Sequence, residues 1–384
     1  MNSNQTLSIH FPGRLVFGKD LLPQLADDVL QWGLSKILIV TIDPLLPRLN
    51  AFIKKLENNR MVVATDASIV QEPSFDDFNT LMQRVALFNP DIVLGIGGGS
   101  VLDIAKLVAA QLENDQTPEE YTGIGLLKGR RKKLICMPAT SGTGSEVSPN
   151  AILVDNADGQ KKGIISPFLV PDLVYVDPLL TLSVPPSITA ATGLDALTHC
   201  LEAYTNKFAH PFIDMYAFEG MRLIAGSLVQ AVKNGADGHA REQVAMGSLL
   251  GGFCLGPVNT AAVHALSYPL GSSFHLPHGL SNALLLPYVM EFNMPSAPRR
   301  YADVAIALGC PREISDEATA INGIEKIRSF ISQCGIPAKL SEVGVPEDAI
   351  PAMAAAAMKI TRLLKNNPRP VTEADAIAIY KAAY

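Results

Sequence analysis

Residues 91–110 read DIVLGIGGGSVLDIAKLVAA and decide the fold class of this chain. An apolar run leads into a glycine-rich turn, and an apolar segment of helical length follows. The run is almost continuously hydrophobic, as expected of a strand covered on both faces of a parallel sheet. Ser100 followed by Asp103 predicts a helix that opens at Ser100, because a serine caps the free N–H groups of a first turn. The stretch therefore predicts the strand, turn and helix of an α/β fold.

The same alternation extends over the first half of the chain. Segments 45–59 and 75–89 have helical length and place apolar residues three and four apart. Short runs rich in β-branched residues lie between such segments, at 15–18, 36–40, 61–65, 91–97, 133–138 and 173–177. Strands that alternate with helices predict a parallel sheet with crossover helices, and hence a Rossmann-like α/β domain over residues 1–185.

The character of the sequence changes after Pro185 and Pro186. Long segments rich in Ala, Leu and Met follow one another with helical spacing, at 187–205, 211–232 and 349–360. Runs of β-branched residues become rare. We therefore expect an all-helical second domain over residues 186–384.

Composition restricts the function classes. With 384 residues, of which 48% are hydrophobic and 18% charged, the chain has enough apolar side chains for two cores. A net charge of −6 argues against a nucleic-acid partner. No apolar run predicts a membrane span, and the N-terminal residues lack the pattern of a leader. Five widely spaced cysteines without a CxxC pair argue against a disulfide framework or structural zinc, so we expect a cytoplasmic protein.

The glycine turn is suited to a dinucleotide. Gly97, Gly98 and Gly99 let the backbone approach a ligand where a Cβ atom would collide, and the following helix presents free N–H donors to a pyrophosphate. The spacing differs from GxGxxG and lacks GK[ST], so a tight turn without a ligand stays an alternative. A second loop, residues 138–150, offers hydroxyls beside glycines for a sugar, phosphate or carboxamide: Thr140, Ser141, Thr143 and Ser145.

Four side chains of the second half form a candidate metal site. Asp195 and His199 are four residues apart on a helical segment, so they leave the same face one turn apart. His264 and His278 lie in two further apolar segments. A single histidine is more often a packed or surface residue, but one carboxylate with three imidazoles suits Fe(II) or Zn(II) rather than Mg²⁺ or Ca²⁺. Four protein ligands with room for a substrate oxygen favour iron.

These segments, taken in order, resemble the iron-containing (group III) alcohol dehydrogenases. The resemblance rests on GGGSVLDIAK, ATSGTGSEVSPN, GLDALTHCLEAY, VHALSYPLG and LPHGLSNALLLP, and it extends from near Phe11 to the C-terminus. It implies a nucleotide domain, a helical metal domain with the active site between them, and a homodimer. The metal ligands that it implies are Asp195, His199, His264 and His278. The nucleotide contacts that it implies are Gly97, Gly98, Gly99, Ser100, Asp103, Thr140, Thr143, Asn150 and Lys161.

Two positions depart from that family where the cofactor is expected. The aspartate that meets the adenosine ribose follows a VT pair directly in the family, whereas VTIDP shifts it by one residue and leaves Asp43 or Ile42 at that place. Because Asp43 would repel a 2′-phosphate, NAD is favoured over NADP. Glu72 stands where relatives have an asparagine near the ribose.

A third departure concerns proton transfer. Tyr268 stands where several members carry a second histidine, four residues after His264. Tyr268 and His275 are therefore the candidate catalytic side chains. Leu255 and Phe274 are expected to border the substrate with them, since all four lie beside the ligand histidines in sequence.

The function that the resemblance implies is an NAD(P)(H)-dependent oxidoreductase that interconverts a small alcohol and its aldehyde or ketone through a metal-bound alkoxide. Two other enzyme classes stay open. One is a hydroxyacid-oxoacid transhydrogenase that keeps its nicotinamide tightly bound. The other is a lyase of the dehydroquinate synthase type, which is less favoured because basic residues directed at a phosphate are not evident near the metal motifs.

Overall fold

The apolar runs of the first half form one parallel sheet in the computed structural model, which describes residues 6–157 and 159–384. Nine strands lie in this described part of the chain: β1 (Arg14–Phe17), β2 (Lys36–Val40), β3 (Val62–Asp66), β4 (Ile92–Gly97), β5 (Gly123–Ile124), β6 (Lys133–Pro138), β7 (Asn150–Asp155), β8 (Gln160–Ile165) and β9 (Leu173–Val176). Six of them pair in parallel in the order β1-β9-β6-β4-β2-β3. The expected start of the first domain, at residues 1–5, lies outside the described residues.

Five helices accompany these strands: α1 (Leu22–Gln31), α2 (Leu46–Asn58), α3 (Phe75–Phe88), α4 (Gly99–Gln111) and α5 (Pro118–Tyr121). Alternate residues of the central strand β4 enter different cores, as the pleat requires. Ile92 and Leu94 join the core that contains α1 and α2, whereas Val93 joins the core that contains α3 and α4. Every residue of β4 is buried, which explains its continuous apolar run.

A second, smaller sheet was missed by the sequence reasoning. Strands β7 and β8 form an antiparallel hairpin, and β5 pairs in parallel with β8. Residues of β7 alternate only partly between buried and half-buried positions, and β8 begins with a glutamine and two lysines. Strand β8 is half-exposed and lacks an apolar run like those of the main sheet, whereas β7 carries the apolar run Ala151–Val154, which was not predicted to be a strand.

The helix after the glycine turn was predicted with the wrong cap. The cap lies two residues earlier than predicted: Gly98 is the N-cap in an extended conformation, the helix begins at Gly99, and no side chain caps its first turn. Ser100 therefore lies inside the helix. The Asp103 carboxylate accepts hydrogen bonds from the hydroxyl of Ser145 at 2.5 Å and from the backbone N–H of Ile152 at 2.9 Å. The turn is made by glycine backbone alone. The Asp103 side chain, which was expected to support the helix start, instead accepts hydrogen bonds from β7 and from the loop before it.

The second half is helical, which confirms the predicted fold class. Its helices are α6 (Pro186–Thr205), α7 (Pro211–Lys233), α8 (Gly238–Leu255), α9 (Ala262–Phe274), α10 (His278–Asn293), α11 (Pro298–Ala307), α12 (Asp316–Gln333), α13 (Ile350–Met358), α14 (Thr361–Leu364) and α15 (Glu373–Ala382). Helix α6 is buried along most of its length and packs against α7, α8 and α10. Among the described helices, none has the length and apolar character needed to cross a membrane.

Contacts divide the chain into two units. The α/β unit contains His10–Thr140 and Ser145–Thr181, and the helical unit contains residues 6–9, Ser141–Gly144 and Leu182–Tyr384. The short segment Ser141–Gly144 belongs to the helical unit because its glycines lie against α6 and α8. A Cβ atom on Gly144, whose φ is +61°, would lie 2.3 Å from the Cα atom of Gly252. What each unit binds stays a prediction.

Candidate metal centre and nucleotide-binding turn

Four side chains of the helical unit converge on one point. The Nε2 atoms of three histidines lie at similar distances from Oδ1 of Asp195: His264 at 3.5 Å, His199 at 3.7 Å and His278 at 3.7 Å. These separations are longer than the hydrogen bonds usual between such groups. They are close to the edge of a tetrahedron with metal–nitrogen bonds of roughly 2.1 Å, which is about 3.4 Å. The ligand atoms of Asp195, His199 and His264 also lie within 4.8 Å of one another, so these three fit one divalent ion, and His278 faces the same carboxylate oxygen as a fourth candidate.

Local packing explains why these side chains meet. Asp195 and His199 lie one turn apart on the buried face of α6, and His264 lies in the first turn of α9. His278 is the first residue of α10, directly after Pro277. The next residue, Gly279, lets α10 approach α6, because a Cβ atom there would lie 2.2 Å from the carbonyl oxygen of Ala191.

Three of the four ligand candidates are buried, and the cluster is accessible at the fourth, His278, which we call its open side. The side chains of Asp195, His199 and His264 are 4%, 7% and 3% exposed, whereas that of His278 is 30% exposed. Burial would raise the pKa of Asp195, but the facing histidines, His199 first, hold it well below its usual range. Asp195 is therefore an anion in the folded protein, as a ligand for a cation must be.

Glu202 is a functional candidate that the sequence reasoning missed. Its carboxylate accepts hydrogen bonds from Nδ1 of His264 at 2.6 Å and from the backbone N–H groups of Ala261 and Val263 at 3.0 and 2.6 Å. The first bond keeps a proton on Nδ1 and leaves Nε2 free to face the cluster. Although burial alone would lower it, the pKa of His264 is raised to about 10, mainly by Glu202 and also by Asp195. Helical spacing could have found Glu202, because it lies three residues after His199 on the same face of α6.

Asn282, one turn after His278, donates to the same cluster. Its amide nitrogen lies 2.7 Å from Oδ1 of Asp195, 3.1 Å from Nε2 of His264 and 3.3 Å from Nε2 of His278. The amide oxygen of Asn282 is buried without a hydrogen-bond partner in the described part of the chain. One amide nitrogen thus lies within hydrogen-bond distance of a carboxylate oxygen and two ring nitrogens. A cation bound at this point would interact with all three of these atoms.

The two candidate catalytic residues have different surroundings. The ring of Tyr268 lies 6.0 Å from the ring of His278, and the guanidinium of Arg362 donates to the Tyr268 hydroxyl at 3.4 Å. His275 ends α9 in the left-handed conformation, with φ of +55°, and is exposed. The structure therefore brings Tyr268, and not His275, next to a ligand candidate.

The two residues expected to border the substrate, Leu255 and Phe274, have different surroundings. Leu255, at the end of α8, is buried, and Phe274 packs against the core of the helical unit.

The glycine turn of the α/β unit lies at the carboxyl end of the central strand. Because Gly97 of β4 pairs with Pro138 of β6, the loops that follow these two strands are neighbours. A Cβ atom on Gly98 would lie 3.4 Å from the hydroxyl oxygen of Thr140. Asp43 is exposed just beyond the end of β2, the next strand along. Candidate ligands in open α/β sheets are expected at this edge, beyond the carboxyl ends of the strands.

The remaining nucleotide candidates lie apart from the turn or serve the fold. Lys161 pairs with Glu72 at 2.5 Å, so an implied nucleotide contact and the departure near the ribose form one ion pair. The backbone oxygen of Asn150 accepts from the buried Lys106 at 2.7 Å, while its side-chain oxygen is buried without a partner among the described residues. Ser141 and Thr143 belong to the segment that packs with the helical unit.

Comparison with known proteins gives the family. The model of the family described as "Iron-containing alcohol dehydrogenase" matches residues 12–178. The model described as "Fe-containing alcohol dehydrogenase family, C-terminal" matches residues 189–384. The chain is 39% identical over 383 residues to long-chain-alcohol dehydrogenase 1 of Geobacillus thermodenitrificans, covering 98% of this chain and 96% of that protein.

Solved structures agree with the sequence comparisons. A 1,3-propanediol oxidoreductase matches with a TM-score of 0.95 at 31% identity, over 99% of this chain and 100% of that one. A sulfoacetaldehyde reductase from Bifidobacterium kashiwanohense, in complex with NAD+, matches with a TM-score of 0.88 at 25% identity, over 99% of each chain. The chain therefore belongs to the iron-containing alcohol dehydrogenase family, and it is an oxidoreductase that interconverts an alcohol with its aldehyde or ketone using a nicotinamide cofactor.

Proposed function

We propose that Asp195, His199, His264 and His278 hold one Fe(II) ion, and that the turn at Gly97–Ser100 binds the pyrophosphate of NAD(H). The observation that carries the metal assignment is the convergence of three imidazole nitrogens on one carboxylate oxygen, at 3.5–3.7 Å. One carboxylate with three imidazoles suits Fe(II) and Zn(II), and the open side at His278 leaves a position for substrate. Four protein ligands with room for a substrate oxygen favour iron, with Zn(II) as the alternative.

A divalent ion at this point would supply Lewis acidity to the oxygen of the alcohol or carbonyl. The residues of the chain do the rest. Glu202 fixes the ring of His264 with the proton on Nδ1. Tyr268, beside His278, is in a position to donate a hydrogen bond to the substrate oxygen or accept one from it. The exposed His275 is the second candidate for passing a proton to solvent.

We assign NAD as the preferred cofactor, with NADP as the alternative. Asp43 is exposed just beyond β2, where a carboxylate would bind ribose hydroxyls and repel a 2′-phosphate. Thr140, Ser141, Thr143, Ser100, Asp103, Asn150 and Lys161 are the further nucleotide candidates. The related sulfoacetaldehyde reductase was crystallised with NAD+.

Primary alcohols and their aldehydes are the proposed substrates. The relatives are named for a long-chain alcohol and for 1,3-propanediol, which share a terminal hydroxyl group. We also propose that the protein is a cytoplasmic homodimer, as its resemblance to this family implies. Light scattering on a sizing column gives the mass of the assembly and tests the dimer.

The reaction is tested by loading the metal-free protein separately with Fe(II) and Zn(II) and following NADH formation from primary alcohols. We expect sustained turnover with free NAD+, higher activity with Fe(II), and weak turnover with NADP+. A single burst followed by turnover only when an oxoacid is added would instead identify a transhydrogenase. Activity that is unchanged without any metal would contradict the proposal.

A further inference from the structure

An arginine to which the described residues offer no carboxylate lies near the open side of the metal cluster. Arg362, in α14, is half-buried, and among the described residues its one hydrogen bond is to the hydroxyl of Tyr268, at 3.4 Å. Tyr268 is itself half-buried, although nearly every other residue of α9 from Ala262 to Leu270 is buried. Its ring lies 6.0 Å from that of His278, the most exposed ligand candidate. Arg362 and Tyr268 therefore follow His278 along the accessible side.

The other buried or half-buried arginines have a carboxylate partner or, like Arg241 and Arg369, shorter hydrogen bonds to neutral oxygens. A guanidinium has five N–H donors and keeps its charge, so taking it partly out of water without an acceptor costs free energy. Three such arginines each pair with a carboxylate at 2.6–2.8 Å: Arg130 with Asp172, Arg300 with Asp214, and Arg328 with Glu291. For Arg362, the described residues supply one weak neutral acceptor and no carboxylate.

The surrounding sequence does not supply an acid either. Residues 349–372 contain no aspartate or glutamate, and their charged residues are all basic: Lys359, Arg362, Lys365 and Arg369. Arg369 is satisfied by the backbone oxygen of Phe292 at 2.9 Å and by the face of its ring. Lys359 and Lys365 are exposed. Within the described part of the chain, the half-buried Arg362 therefore has no acceptor of matching strength.

We propose that Arg362 is a specificity-determining residue that binds an anionic group at the far end of the substrate. The substrate class is then alcohols and aldehydes that bear a terminal carboxylate or sulfonate, whose paired oxygens match the guanidinium. This inference rests on the proposed function, in which the reacting oxygen lies at the ligand cluster. Because the contacts from His278 to Tyr268 and from Tyr268 to Arg362 lie in series, the substrate needs several carbons between its two ends.

The test compares 5-hydroxypentanoate with 1-pentanol as substrates of the iron-loaded enzyme with NAD+. We expect wild type to prefer the hydroxy acid, and Arg362→Gln to lower kcat/KM for it by at least about tenfold, since hydrogen bonds to charged groups are worth ~1.5–3 kcal/mol. The value for 1-pentanol should stay within about twofold, as expected for a contact made only with the anion. Lys365→Gln, which removes an exposed charge nearby, is the matched control and should change neither substrate. Arg362→Lys should retain part of the preference.

A binding measurement separates this inference from the reaction itself. Glutarate is titrated by calorimetry into the iron-loaded wild type, Arg362→Gln and Lys365→Gln. Weaker binding of glutarate to Arg362→Gln alone supports the anion site. Equal binding to all three proteins, or an equal loss of kcat/KM for the acid and the alcohol in Arg362→Gln, overturns it. Absence of turnover by wild type on any alcohol would contradict the proposed reaction, and the glutarate titration would still decide the anion site.

Discussion

The metal centre and the glycine turn are built in opposite ways. In the metal centre, side chains from α6, α9 and α10 converge, and each ligand candidate is a residue type with its own chemistry. In the glycine turn, the backbone between β4 and α4 is left bare, and its nearest polar side chain is Thr140. The contrast teaches that the first site should fail when a side chain is removed, and the second when one is added.

The largest effect is expected at Asp195. Asp195→Asn keeps the shape of the side chain but removes the charge that three imidazole nitrogens face. Turnover should fall by more than the roughly 10–100-fold typical of changes to outer partners of a metal site. Metal content and kcat are measured together, with the exposed Asp348→Asn as the control. Full metal content with undiminished turnover would show that Asp195 is not a ligand.

Gly98→Val tests the other side of the comparison. A Cβ atom at Gly98 would only touch Thr140, so the fold should accept a side chain there, whereas a bound pyrophosphate would meet it. We expect the affinity for NADH to fall by roughly 100-fold or more, about 2.7 kcal/mol, with metal content unchanged. Fluorescence titration of NADH measures this. Gly129→Val, at a glycine with open space around it, is the matched control. Normal NADH affinity in Gly98→Val would remove the turn from the cofactor site.

A smaller loss is expected at Glu202, which acts through a ligand. Glu202→Gln weakens the acceptor for Nδ1 of His264 and removes the charge that helps to raise the pKa of that histidine to about 10. We predict that affinity for the divalent ion falls by about 10–100-fold. Competition with a chelator of known affinity measures it. The exposed Glu317→Gln should behave as wild type. If Glu202→Gln also retained wild-type metal affinity, Glu202 would be only a partner of the backbone at Ala261 and Val263.

The smallest effect is predicted for Tyr268→Phe, which removes one hydroxyl at the edge of the cluster. If that hydroxyl positions the substrate, kcat should fall by about tenfold, or ~1.4 kcal/mol, with an unchanged melting temperature. Loss of the Arg362 contact alone should not alter the chemical step for a neutral alcohol. Wild-type kinetics with 1-pentanol would leave Tyr268 as a packing residue, and the proton route would have to be sought at His275.

Sequence reasoning reached those features that depend on local periodicity. The central strands β2, β4 and β6 were predicted because burial on both faces demands continuous apolar runs, and Asp195 with His199 because helical spacing puts them on one face. The same spacing extends to Glu202, one turn further along the helix. Strand β8 of the hairpin was not predicted because it is half-exposed and begins with polar residues. The Ser100 cap was wrong because a glycine backbone can start a helix without a capping side chain.

Features that depend on tertiary packing could not be predicted from the sequence. Arg362 is 94 residues from Tyr268 in sequence, and the two belong to different helices. The pairing of Glu72 with Lys161 likewise joins two distant positions. Spacing along a chain cannot reveal such contacts, because they depend on how separate elements pack.

The central claim is that a metal ion and a nucleotide are bound by different parts of the chain, one through side chains and one through backbone. Metal content and NADH affinity of His264→Ala, measured on the same preparation, test it most directly. The change removes one of the convergent nitrogens and leaves the α/β unit untouched. We predict a protein that has lost stoichiometric iron and turnover but binds NADH with wild-type affinity. A variant that retains its iron, or that loses NADH binding together with the metal, would contradict the account.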